Sequence, residues 1–128
     1  MAELLLVNPT AAERDAVLAS RKVVFIDFYA SWCAPCKGYS PKFQRMAREV
    51  RRAAPDASLA FLQVDIDLDQ SFARAHSVRS VPTTVVLADK KGWFGRVRKE
   101  EVLRFAGDRS PQELLRDFTA LAARYGQG

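Results

Sequence analysis

The chain has 128 residues, 48% of them hydrophobic and 27% charged, a balance that fits one compact domain with a sizeable core and excludes collagen-like, low-complexity and disordered chains. Its uninterrupted apolar runs, such as Val23-Val24-Phe25-Ile26, stop at four residues, far short of the roughly 20 that a membrane-spanning helix needs. The net charge of +5, from 20 basic and 15 acidic residues, gives a mild general attraction to acidic partners, and no nucleic-acid partner is expected from it.

Leu4-Leu5-Leu6-Val7 reads as a short first strand, and Thr10-Ala11-Ala12-Glu13 has the spacing of a capping box that opens a helix. Val23 to Tyr29 is a nearly continuous apolar run, the pattern of a strand buried on both faces. From Ala34 to about Ala53, Tyr39, Phe43, Met46, Ala47 and Val50 recur at helical spacing, with Arg45, Arg48 and Arg52 on the opposite side. Pro41 inside this helix is expected to kink it. A strand over Leu59 to Asp65 follows, then a short helix from an Asp69 cap through His76, then strands at Thr83 to Ala88 and Val102 to Ala106. Ser110-Pro111-Gln112-Glu113 joins a second capping box to a proline in the first turn, so a last helix runs to about Tyr125. Gly126-Gln127-Gly128 reads as a frayed tail. This order implies a mixed sheet, parallel early and closed by an antiparallel hairpin.

Two cysteines and one histidine cannot fill a four-ligand zinc site or build a multi-bridge scaffold, so no metal is expected. The cysteines stand as Trp32-Cys33-Ala34-Pro35-Cys36, where the central strand gives way to the long helix. Residues three apart in a first helical turn lie about 5–6 Å from each other, within disulfide range. Cys33 is the expected nucleophile, because free N–H groups and the positive end of the helix dipole favour a thiolate there. Cys36, one turn further in, is the expected resolving thiol. The other reading, two ordinary buried cysteines, is disfavoured by a C-x-x-C beside a β-α-β pattern.

The stretch Val24-Phe25-Ile26-Asp27-Phe28-Tyr29-Ala30-Ser31-Trp32-Cys33-Ala34-Pro35-Cys36-Lys37, the later Pro41, Val64-Asp65-Ile66-Asp67 and Val78-Arg79-Ser80-Val81-Pro82-Thr83 resemble the thioredoxin family in residues and in relative spacing, over nearly the whole chain. The resemblance implies a single α/β domain over residues 1–128 with the thioredoxin fold, a five-stranded mixed sheet of three parallel strands and an antiparallel C-terminal hairpin, flanked by about four helices. It implies reduction of protein disulfides through a mixed disulfide, with no cofactor, in a monomer recharged by a thioredoxin-reductase-type electron donor. Asp27, whose carboxyl burial pushes towards the neutral form, is the residue that by resemblance helps deprotonate the resolving thiol. Its alternative is a strand-end carboxylate bonded to water or to a lysine. Pro82 matches the family proline that follows a cis bond, which leaves the Val81 backbone to pair with an extended substrate. Trp32 and the Ala106-Gly107 turn complete the rim, although Trp32 could equally be packing.

Met1-Ala2-Glu3 is acidic where a secretory signal is basic, so a cytoplasmic location is expected, with a periplasmic one open if a leader has been removed. Two further readings stay open: a periplasmic or membrane-associated reductase domain, and a binding module with an idle dithiol. Departures from the family pattern are Ala34 between the cysteines, Gln63 where many members have a lysine beside the buried aspartate, Tyr29 for a tryptophan and Ser77 for a glycine. The largest is Lys90-Lys91-Gly92-Trp93-Phe94-Gly95-Arg96-Val97-Arg98-Lys99, read as a long connection. It is either a docking surface or an extended hairpin whose aromatics fold back on the sheet.

Overall fold

A computed structural model of the chain describes residues 5–127; Leu4 of the expected first strand, Met1-Ala2-Glu3 and Gly128 lie outside them. The strands are β1 (Leu5–Val7), β2 (Val23–Tyr29), β3 (Leu59–Asp65), β4 (Thr83–Lys91) and β5 (Val97–Ala106). The helices are α1 (Ala11–Ser20), α2 (Ala34–Ala53), α3 (Gln70–Ala75) and α4 (Pro111–Tyr125). Both expected capping boxes are formed, Thr10 with Glu13 and Ser110 with Glu113, and Asp69 caps α3 through the Phe72 N–H. Helix α2 runs unbroken through Pro41.

The sheet order is β1-β3-β2-β4-β5. Strands β1, β3 and β2 are parallel, β4 pairs antiparallel with β2, and β5 pairs antiparallel with β4. Period-two alternation divides β2 between two cores. Val23 and Phe25 pack with Tyr39 and Phe43 of α2 and Leu114 and Phe118 of α4. Val24, Ile26 and Phe28 pack with Phe72 of α3, against which Val17 and Leu18 of α1 also rest. Phe25 stacks on Phe61 at 4.6 Å between ring centres, so β2 and β3 are fixed to one another directly beneath α2. Phe43 of α2 meets Phe61 edge-on at 6.0 Å, which holds this helix, with the cysteines at its N-terminal end, on the sheet.

Three expectations need correction. The Lys90 to Lys99 stretch is not an open connection, because pairing continues through Lys90↔Arg98 and Lys91↔Val97 and only Trp93–Gly95 turns the chain in a short 3-10 segment. Its aromatics do not fold back on the sheet: Trp93 is 87% and Phe94 98% exposed. Gly126-Gln127 is not a frayed tail, since the Gly126 carbonyl accepts from Ser58 N–H at 2.8 Å and the Gln127 carbonyl accepts from Lys22 Nζ at 3.0 Å. No helix among the described residues is long and apolar enough to cross a membrane.

Candidate active site

Where β2 ends, Cys33 takes an extended backbone and caps α2, its Sγ accepting the Cys36 N–H at 3.2 Å. A sulfur in the N-cap position thus receives a backbone donor that the first turn leaves free. Pro35 fits this turn because it has no N–H to satisfy. The two sulfurs are joined as a disulfide with 5.3 Å between Cα atoms, inside the normal span. Both cysteines are nearly buried, packed with Ala30 and flanked by Tyr29, Ile66 and Val81. On reduction, the N–H that now points at Cys33 Sγ faces a thiolate, and the helix dipole acts in the same direction.

The loop before β4 faces this disulfide. Cys33 Sγ lies 3.5 Å from the Val81 carbonyl oxygen, and the Val81–Pro82 bond is cis. The Pro82 carbonyl in turn accepts from the Gly107 N–H at 2.8 Å. Gly107 has φ +84, a left-handed conformation that its lack of a Cβ permits. Val81 of this loop therefore meets Cys33, and Gly107, distant in sequence, braces the loop through Pro82. Trp32 is 67% exposed, which sets aside its reading as core packing. Its Nε1 donates to Asp67 Oδ2 at 2.8 Å, fixing the indole beside the disulfide.

Asp27 lies in the middle of the sheet, opposite Gln63 of β3 and Thr84 of β4, and is fully buried. The strand-end alternative is thereby overturned, and no lysine reaches it: its partners are Ser40 Oγ at 2.9 Å and Gln63 Nε2 at 2.8 Å. Burial raises its pKa to about 6, against the lowering effect of the Gln63 and Ser40 hydrogen bonds. Gln63 is oriented from behind, its Oε1 accepting from Gln44 Nε2 at 2.7 Å. The residue that replaces the family lysine thus still touches Asp27, as a neutral donor. Tyr39 also stands near, with its hydroxyl 2.6 Å from Thr84 Oγ1, and burial raises its pKa.

Ser40, Gln44 and Asp67 were not singled out in the sequence. Ser40 has a signal in hindsight, being four residues after Cys36 and so on the same helical face. It lines a cleft of about 180 Å³ together with Cys36, Lys37, Tyr29, Ala30 and Ser31. Ser77, which stands for a family glycine, has φ 54, the conformation in which a glycine would be unstrained. His76 ends α3 with its ring against Phe72 and Phe28, and burial lowers its pKa; it takes no part in the site.

A redox-active pair at a helix N-terminus, linked to a buried carboxyl through Ser40 of the same cleft and facing a cis-proline loop, defines a thiol–disulfide oxidoreductase. The family model described as Thioredoxin matches residues 6–115. The thioredoxin of Mycoplasma genitalium is 34% identical over 92 residues, covering 70% of this chain and 84% of that protein. A bifunctional thioredoxin reductase/thioredoxin of Mycobacterium leprae is 32% identical over 103 residues, covering 80% of this chain and 19% of that protein. Among solved structures, a variant of thioredoxin from Halobacterium salinarum superposes with a TM-score of 0.70 at 28% identity, covering 100% of this chain and 97% of that one. The chain belongs to the thioredoxin family and is a protein-disulfide oxidoreductase.

Proposed function

We propose that the chain reduces protein disulfides, with Cys33 attacking, Cys36 resolving and Asp27 handling the proton. The Cys33 thiolate attacks one sulfur of a substrate disulfide, forming a mixed disulfide and releasing one substrate thiolate. Cys36 then passes its proton towards Asp27 and attacks Cys33 Sγ. The second substrate thiolate leaves, two electrons have moved to the substrate, and the chain is left as the Cys33–Cys36 disulfide. The single observation that carries these roles is the Cys36 N–H directed at Cys33 Sγ, which favours charge on Cys33. Trp32, Val81, Pro82 and Gly107 form the substrate rim, with the Val81 backbone pairing to an extended segment.

A thioredoxin-reductase-type flavoprotein is the electron donor in this reading, a pairing supported by the similarity to the bifunctional thioredoxin reductase/thioredoxin of Mycobacterium leprae. Residues 1–128 act as one domain, and coverage of both sheet faces by the chain's own helices supports a monomer. The cytoplasm, which keeps thiols reduced, is the compartment that suits this direction of flow. The test is incubation of Cys36→Ser and Cys33→Ser with an oxidised protein, followed by mass spectrometry. Cys36→Ser accumulates the mixed disulfide and Cys33→Ser does not; the reverse pattern exchanges the roles. Turnover with a flavoprotein thioredoxin reductase and NADPH tests the donor.

A further inference from the structure

The net charge of +5 is concentrated in one place. Residues 90–99 hold five of the 20 basic residues and none of the 15 acidic ones, so the rest of the chain balances at 15 of each. These ten residues are the far end of the β4–β5 ribbon. Asp89 and the Arg21 carbonyl hold Lys99 at its base. Beyond that, Lys90 and Arg98 stand directly opposite each other in the ladder, a like-charge pairing that destabilises a ribbon. Lys91 and Arg96 form no ion pair among the described residues, and Arg98 meets only Glu100, at 3.5 Å on the surface.

The turn itself is equally costly to the fold. Trp93 and Phe94 project 87% and 98% exposed, with Val97 at 56% beside them. Phe94 also has φ 62 and ψ 23, a left-handed conformation in which a side chain is strained. Exposed rings, like charges set opposite each other and a strained phenylalanine are unfavourable to the fold, and features of that kind cluster where a chain is used.

We propose that this hairpin tip attaches the protein to the surface of an anionic phospholipid bilayer, with Trp93 and Phe94 seated at the headgroup level and the exposed Lys91, Arg96 and Arg98 against lipid phosphates, while Lys90 stays over the Tyr125 ring of α4. Charge complementarity selects an anionic surface, and shape selects lipid over protein. Two neighbouring rings on a convex turn would need two matched pockets in a protein, whereas a bilayer interface closes around any outline and favours aromatic rings. Neither signal alone anchors a protein stably; apolar insertion and basic contacts together do. Orientation agrees, because β4, nine residues long, starts at Thr83 beside Val81–Pro82 and ends at Lys91. At about 3.3 Å per residue the tip lies roughly 30 Å from the disulfide, which then faces away from the bilayer and stays open to substrates.

The experiment is co-sedimentation of the full chain with vesicles of phosphatidylcholine alone and of phosphatidylcholine mixed with phosphatidylglycerol. The chain binds the mixed vesicles and not the neutral ones. Trp93→Ser/Phe94→Ser and Lys91→Ser/Arg96→Ser each weaken binding about tenfold or more, while both variants reduce a small disulfide at the parental rate. Emission from Trp93 in a Trp32→Phe chain shifts to the blue on the mixed vesicles, which reports insertion without altering the tip. Absence of binding to mixed vesicles at low salt overturns the proposal. So does binding that survives loss of both rings, and so does capture by polyglutamate that needs both rings when vesicles are not bound.

Discussion

Ser40 Oγ donates to Asp27 Oδ2 at 2.9 Å from the wall of the cleft that Cys36 also lines. Gln63 Nε2 donates to the same oxygen at 2.8 Å, and Asp27 Oδ1 is buried with no hydrogen-bond partner among the described residues. Both neutral donors therefore favour charge on Oδ2 and leave Oδ1 as the oxygen that carries the proton. A buried carboxyl supported in this way can exist in either state near neutral pH, which is what accepting a proton from a thiol requires.

The pH dependence of stability follows from the same group. Asp27 rises from 3.8 to about 6 on folding, chiefly by desolvation. Between those values the folded chain binds a proton that the unfolded chain has released, so stability falls as pH rises from about 4 to about 6 and stays lower above. The full difference is about 3 kcal/mol. Asp27→Asn removes it: the oxidised variant is more stable than the parent by up to about that amount at pH 7, and the two converge near pH 3. Urea midpoints at several pH values check this, and equal midpoints at pH 7 would show that Asp27 does not titrate in this range. Single-turnover resolution of a mixed disulfide slows in the same variant.

Ser40 and Gln63 tune that group in opposite senses when replaced. Ser40→Ala deletes a donor that lowers the Asp27 pKa, so the pKa rises and resolution at pH 6–7 slows several-fold. Gln63→Lys places an ammonium beside the carboxylate, lowers the pKa, and moves the rising limb of the resolution rate to lower pH. A purely structural role for the two residues would change the urea midpoint and leave the pH profile where it was.

Local physics made much of this legible in advance. Two capping boxes fixed the starts of α1 and α4, the apolar run Val23–Tyr29 became a strand buried on both faces up to Phe28, and Cys33, Cys36 and Asp27 lie where spacing and resemblance indicated. The failures are tertiary. The ribbon beyond Ala88 has no apolar alternation and is strand only because β4 and β5 pair there. Ser40 and Gln44 look like ordinary polar helix positions until the sheet sets Asp27 against Ser40 and Gln63 between Gln44 and Asp27.

Gly126 is the clearest such case, because Gly126-Gln127-Gly128 reads as a loose end in sequence. In the fold, a Cβ at Gly126 would meet the Ala122 carbonyl oxygen at 2.6 Å and side-chain atoms of Ala57 and Leu59 at 3.0 and 3.1 Å. Gly126→Ala therefore displaces the end of α4 from the start of β3 and destabilises the chain by about 1–3 kcal/mol. Thermal unfolding measures it, and an unchanged melting temperature would mean that the terminus moves freely aside.

The last prediction concerns Asp67, which holds Trp32 by the Nε1 hydrogen bond at 2.8 Å. Trp32 is exposed, so its fixed orientation does little for the core and preforms part of the surface that a protein substrate meets. Asp67→Ala frees the indole, and a substrate must then order it on binding, at a cost of about 0.5–1.5 kcal/mol. KM for protein disulfides rises several-fold with kcat little changed, while small disulfides, which do not reach the indole, react at the parental rate. Stability moves by less than about 0.5 kcal/mol, as for other surface changes. Steady-state kinetics with both substrate types checks this, and an equal loss on small and protein disulfides would show that Asp67 acts on the dithiol itself.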